Sequence, residues 1–202
     1  MTYNRRVSDA LGKLKHQLQC AYSGELGAAY AYRGHWHSAR DPKEREQLRQ
    51  IEADEWHHRD LVGGLLAQLG AKPQPIREAV FWMIGKSIAG FCHVGGWFFP
   101  IWGAGLLERH NIVEYEDCAE YAAGCGREEM IECLLTMAEV EWDHERWFHE
   151  KARTHWLMRV FPDWDDPPPR DSYRGEFAAF LGRAFVARPG VPLTGFEPVS
   201  QP

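Results

Sequence analysis

IEADEWHH, residues 51–58, and MAEVEWDH, residues 137–144, are two versions of one phrase. Each contains Glu-Trp-x-His: Glu55 with His58, and Glu141 with His144. The two glutamates and the two histidines are each 86 residues apart, so the register is shared, as in an internally duplicated helix pair. Residues three apart lie on one face of a helix, where a carboxylate and an imidazole can grip one metal ion. With 19 Glu and 10 His in 202 residues, about one Glu-x-x-His is expected by chance and two occur. The weight therefore lies in the duplication, the mid-helix placement and the partner glutamates upstream.

The sequence around these phrases is helical. Segments rich in Ala, Leu, Glu, Gln and Arg dominate, and alternating Val/Ile/Thr runs are absent. A first helix is predicted from Ser8 to Ala39. Asp41-Pro42-Lys43-Glu44 then starts a second, with Asp41 as N-cap, Pro42 at the first helical position and Glu44 closing a capping box. This helix runs to Leu69, where Gly70 fits the C′ position and Pro73 and Pro75 prevent resumption. A third is predicted from Trp102 to Ala123 and a fourth from Arg127 to Arg159, hinged at Gly124-Cys125-Gly126. Between the pairs, Ala79 to Leu107 holds a single formal charge, Lys86, and is broken by Gly95-Gly96 and Pro100. One straight membrane span fits poorly; a crossover on the bundle or at a membrane interface fits better. Two antiparallel pairs joined by one long apolar crossover is the connectivity of a ferritin-like four-helix bundle, all-α, expected over residues 1–160. Residues 161–202 are expected to hold a linker (Asp163 to Arg170), a short helix (Tyr173 to Val186) and a poorly ordered tail from Arg188.

Composition narrows the function. The chain is globular rather than disordered, with 45% hydrophobic and 26% charged residues. A net charge of -6 disfavours a nucleic-acid partner. Five cysteines without Cys-x-x-Cys spacing argue against a disulfide framework or a zinc ribbon and for a reducing compartment. No apolar run follows Arg5-Arg6, so no secretory signal is read there.

A di-iron carboxylate site in such a bundle needs one more glutamate from each remaining helix. Glu25 is the only glutamate of the first helix, and a hairpin folded at Asp41-Pro42 brings it level with Glu55. On the third helix, folding about Gly124–Gly126 favours Glu108, with Glu114 in reserve. Asp54 or Asp143 could orient the imidazoles, while His57, His149 and His155 read as surface or supporting residues. Trp56 and Trp142 read as core.

The chain resembles the demethoxyubiquinone hydroxylase family of the ferritin-like superfamily. Gly24-Glu25-Leu26-Gly27-Ala28-Ala29 with Tyr32 resembles its first-helix signature, and Leu107-Glu108 followed by Tyr115 resembles its third-helix Val-Glu with a Tyr seven residues on. Where that family has a His pair before the tyrosine, this chain has Val113-Glu114. The resemblance implies two Fe ions held by Glu25, Glu55, His58, Glu108, Glu141 and His144, with Tyr115 as the catalytic candidate. It implies a monooxygenase using O2 to hydroxylate a hydrophobic, polyprenyl benzoquinol-like substrate in ubiquinone biosynthesis. It also implies a cytoplasmic protein peripheral to the inner membrane face, with room for a homodimer. The alternative is a ferroxidase or other iron-handling protein, or a rubrerythrin-like peroxidase, although a full rubrerythrin would need Cys-x-x-Cys pairs.

Overall fold

The computed structural model describes residues 2–186, and among them there are helices but no strand. The tail expected from Arg188 lies outside the described residues. Six helices follow in order: α1 (Thr2–Ser38), α2 (Pro42–Gln68), α3 (Pro75–Cys92), α4 (Phe98–Gly124), α5 (Ile131–Arg153) and α6 (Ser172–Val186). The fold is an all-α, ferritin-like bundle. α1 and α2 form one antiparallel hairpin, α4 and α5 the other, and α1 meets α4 along the centre.

The first hairpin turns where the sequence places it. The Asp41 carboxylate accepts from the backbone N–H groups of Lys43 and Glu44, and Pro42 opens the helix. Glu44 does not close a capping box. Its side chain takes hydrogen bonds from Trp97 Nε1 at 2.8 Å and Lys151 Nζ at 3.0 Å, because a half-buried tryptophan N–H and a cation outbid a backbone amide that water can reach. Gly70 and Gly126 end α2 and α4 at φ 62° and 74°, a conformation that side chains with a Cβ resist.

The crossover is more ordered than the sequence suggested. Its first half is α3, a regular helix lying along α1. The two backbones approach at two glycines: a Cβ on Gly85 would run into the Gly27 carbonyl, and one on Gly34 into the Ala89 backbone. Gly85→Ala is therefore expected to destabilise the fold by roughly 1–3 kcal/mol, despite alanine's better helix propensity, because backbone cannot move aside as a side chain can. Urea melts of the two proteins measure this, and an unchanged or raised midpoint would show that α3 is loosely held.

Three other boundaries move. α4 begins at Phe98 rather than Trp102, since Pro100 falls in its first turn, where a missing N–H costs nothing. The fourth bundle helix opens with a 3-10 turn (Glu128–Met130) and stops at Arg153. There His155 becomes extended, and its ring accepts from the Leu157 N–H to start a second 3-10 turn (Trp156–Arg159). Beyond it, residues 163–170 lie across α5. Arg146 pairs with Asp166 at 2.6 Å, Arg170 with Asp143 at 3.1 Å, and Trp142 Nε1 donates to the Pro168 carbonyl. α6 then buries Tyr173 and Phe177.

Two apolar cores result. One gathers Leu14, Leu18, Val62, Ala119 and Leu134, and the other Leu48, Ile51, Ile101, Phe148 and Ala152. Between them, each of the four long helices carries acidic residues in the stripe that should be apolar.

Candidate metal centre

The layer between the two cores contains Glu25 from α1, Glu55 and His58 from α2, Glu108 from α4, and Glu141 and His144 from α5, all buried. They form two overlapping quartets. Glu25, Glu55, His58 and Glu141 bring one donor atom each to within 4.8 Å of one another, and so do Glu55, Glu108, Glu141 and His144. Glu55 and Glu141 belong to both, so the set has two shared carboxylates and, at each end, one further carboxylate and one imidazole. Of the two helix-3 candidates, Glu108 joins a quartet and Glu114 joins neither.

The imidazoles are aimed inward. His58 Nδ1 lies 2.9 Å from Glu141 Oε1. His144 donates from Nε2 to Asp54 at 3.2 Å, leaving Nδ1 inside, 3.6 Å from Glu55 and 3.5 Å from Glu141. Asp54 is thus the aspartate that orients a ring. Asp143 faces Arg170 instead, since its position next to His144 on α5 points away from the cluster.

The outer glutamates are fixed by tyrosines, and the tyrosines cross. Tyr115 of α4 donates to Glu25 of α1, and Tyr32 of α1 donates to Glu108 of α4. Each tyrosine stands seven residues after the glutamate of its own helix and serves the other helix's glutamate. Asn111 adds a hydrogen bond to Glu108 at 3.1 Å.

Four carboxylates in one dry layer are unfavourable unless something positive joins them. Burial and mutual repulsion push Glu25, Glu55 and Glu108 upward. Burial would raise Glu141 as well, but His58 and His144 beside it hold it well below the carboxylate range. Burial lowers an imidazole's affinity for protons, yet Asp54 and Glu141 outweigh it and bring His144 up to about 9. Even so, both Glu55 oxygens, Glu25 Oε2, Glu141 Oε2 and His144 Nδ1 are buried without a hydrogen-bond partner among the described residues. Orphaned buried atoms on residues of two overlapping quartets suit a pair of divalent cations, and a carboxylate-imidazole set suits iron or manganese better than a soft thiophilic ion.

Other residues fall differently from expectation. His149 is fully buried, stacked on Trp164 with ring centres 4.2 Å apart and bonded to Asp163 at 2.8 Å, so it anchors the segment after α5. Its i+4 spacing from Glu145 was the available signal. His57 is exposed, and His155 caps the 3-10 turn. Trp56 and Trp142 are half-buried at the rim, because their indole N–H groups reach Glu52 and the Pro168 carbonyl. The Tyr32–Glu108 pair was missed altogether, although the repeated Glu-to-Tyr step of seven residues was its sequence signal.

Residues 12–93 match the family model of ubiquinone biosynthesis protein COQ7. The matched stretch holds Glu25, Glu55 and His58. No curated protein and no solved structure matches the chain.

Proposed function

We propose that this chain is an oxygen-activating di-iron monooxygenase that hydroxylates the ring of a hydrophobic quinol in ubiquinone biosynthesis. Glu25, Glu55, His58, Glu108, Glu141 and His144 would hold the two irons, with Glu55 and Glu141 the donors common to both positions. The observation that carries the reading is the pair of buried quartets sharing two carboxylates, with their unpaired atoms turned inward. The match to a ubiquinone biosynthesis family over residues 12–93 supports the substrate class. Four carboxylates balance two Fe(II) ions, and the pair, when bound, supplies the two electrons that activation of O2 requires.

The chain's own groups do the rest. Asp54 holds His144 with Nδ1 free to ligate. Tyr32 and Tyr115 donate to Glu108 and Glu25 and so fix the two outer carboxylates in place. Tyr115 therefore acts through Glu25 in this reading, as the group that positions it. The apolar layers above and below keep water from the centre.

Access for a lipid-like substrate is supported by α3. Its outward face exposes Trp82, Met83, Ile84, Ile88 and Phe91, each more than two-fifths accessible. A contiguous apolar surface of this kind marks an interaction site, and a membrane interface suits it. Among the described residues no helix is long and apolar enough to cross a membrane, so the contact proposed is peripheral, on the inner membrane face.

Elemental analysis of protein purified without chelator, followed by turnover with a short-tailed benzoquinol under labelled O2, tests the reading. Two irons per chain and one labelled oxygen in the ring are expected. Iron oxidation without a hydroxylated product would favour the iron-handling alternative, and absence of metal would sink both.

A further inference from the structure

Glu114 stands beside the iron-ligand cluster without joining it. Its carboxylate is anchored at one oxygen, where Gln17 Nε2 donates to Oε1 at 3.0 Å. No other hydrogen bond among the described residues reaches it. With Glu25 and Asn111 it lines a cleft of about 120 Å³ between α1, α3 and α4, whose other walls include Phe81, Ile84 and Ile88. Ile84 and Ile88 also belong to the apolar outer face of α3. The cleft therefore leads from that face to Glu25, apolar along its length and acidic at its inner end. Such a shape fits a ligand with a greasy body and a polar head.

We propose that Glu114 is a substrate-positioning residue: its free oxygen accepts a hydrogen bond from a ring hydroxyl of the quinol, whose apolar remainder lies along Phe81, Ile84 and Ile88. This rests on the quinol reading of the centre. A carboxylate only accepts, so the ionised group favours the reduced, hydroxyl-bearing ring over the oxidised, carbonyl-bearing one. Burial and the neighbouring Glu25 bring Glu114 up to about 7, so the measurement belongs at pH 8, where it is mostly ionised.

The test is calorimetric titration of the iron-loaded protein under nitrogen with a short-tailed methoxybenzoquinol and, separately, with its O,O-dimethyl ether, which keeps the ring and lacks the donors. For Glu114→Ala, affinity for the quinol is expected to fall roughly tenfold or more, as for loss of a hydrogen bond to a charged group, with little change for the ether. Glu114→Gln keeps an acceptor oxygen and should recover part of the loss. Both variants should still load two irons, because residue 114 is in neither quartet. Equal losses for quinol and ether would reduce Glu114 to a packing role and overturn the proposal, and so would no loss in either variant. If the parent protein binds and hydroxylates the quinol while Glu114→Ala binds it equally well, only this positioning role fails. If the parent protein binds neither ligand, the quinol reading fails and takes the positioning role with it.

Discussion

Glu55→Ala is expected to purify with no bound iron, against two ions per chain for the parent protein. Glu55 stands in both quartets, and neither of its oxygens has any other partner among the described residues. Its loss leaves each quartet with three donors and removes one of the two carboxylates that both would share. Glu141→Ala should behave the same way. Glu25→Ala and Glu108→Ala touch one quartet each and are expected to keep about one ion. The fold should survive all four changes. An uncompensated buried carboxylate opposes folding, so the metal-free Glu55→Ala protein should melt at or above the temperature of the metal-free parent. Metal analysis of the four variants side by side reads out the sharing directly. Two irons retained in Glu55→Ala, or identical losses at Glu55 and Glu25, would contradict the shared-donor arrangement.

The second large effect is a reversal of pH dependence on metal loading. In the metal-free protein, Glu25, Glu55, Glu108, Glu114, His58 and His144 all hold protons more tightly than in an unfolded chain. The folded state then binds more protons than the unfolded one, and its stability falls as pH rises. For Glu114 the contribution is complete below its ordinary 4.5 and is lost as pH rises through about 7, roughly 3 kcal/mol across that span. For His144 the corresponding window runs from 6.5 to about 9. Glu141 and Asp54 are shifted the other way, but their contributions are lost only below the ordinary carboxylate range. Metal ligation needs the deprotonated forms, so rising pH strengthens the loaded protein. Thermal melts at pH 5, 7 and 9 should show the chelated protein weakening and the loaded protein gaining. At a hundredfold excess of free metal over Kd the gap is about 2.7 kcal/mol per bound ion. Parallel curves would mean that these groups do not exchange protons for metal.

Much of this was legible in the sequence where the physics is local. Asp41-Pro42 and Gly70 announced the ends of α2 because capping and left-handed turns depend on a few neighbouring residues. The Glu-x-x-His phrases announced one helical face because three residues make nearly one turn. What escaped notice depends on the register between helices. Glu44 closes no capping box because Trp97 and Lys151, distant in sequence, are available to it. His149 read as a surface or supporting residue because its spacing from Glu145 within α5 does not show that Trp164 will fold over it. The choice between Glu108 and Glu114 turned on a level that hinge counting gave only approximately. α3 was hidden for another reason: the breaks at Gly95-Gly96 and Pro100 lie beyond its end, and only the fold shows that Gly85 and Gly34 let α3 and α1 lie almost backbone to backbone.

The crossed tyrosines carry a historical implication. Each hairpin brings two carboxylates, one imidazole and one phenol, and each hairpin's phenol completes the other's outer carboxylate. That is the reciprocity of two identical subunits related by a twofold axis, now linked in a single polypeptide. An ancestor half this size could have assembled the same centre only by self-association, with fusion later freeing the two halves to diverge. Asp54 opposite Val140 is one place where they already have.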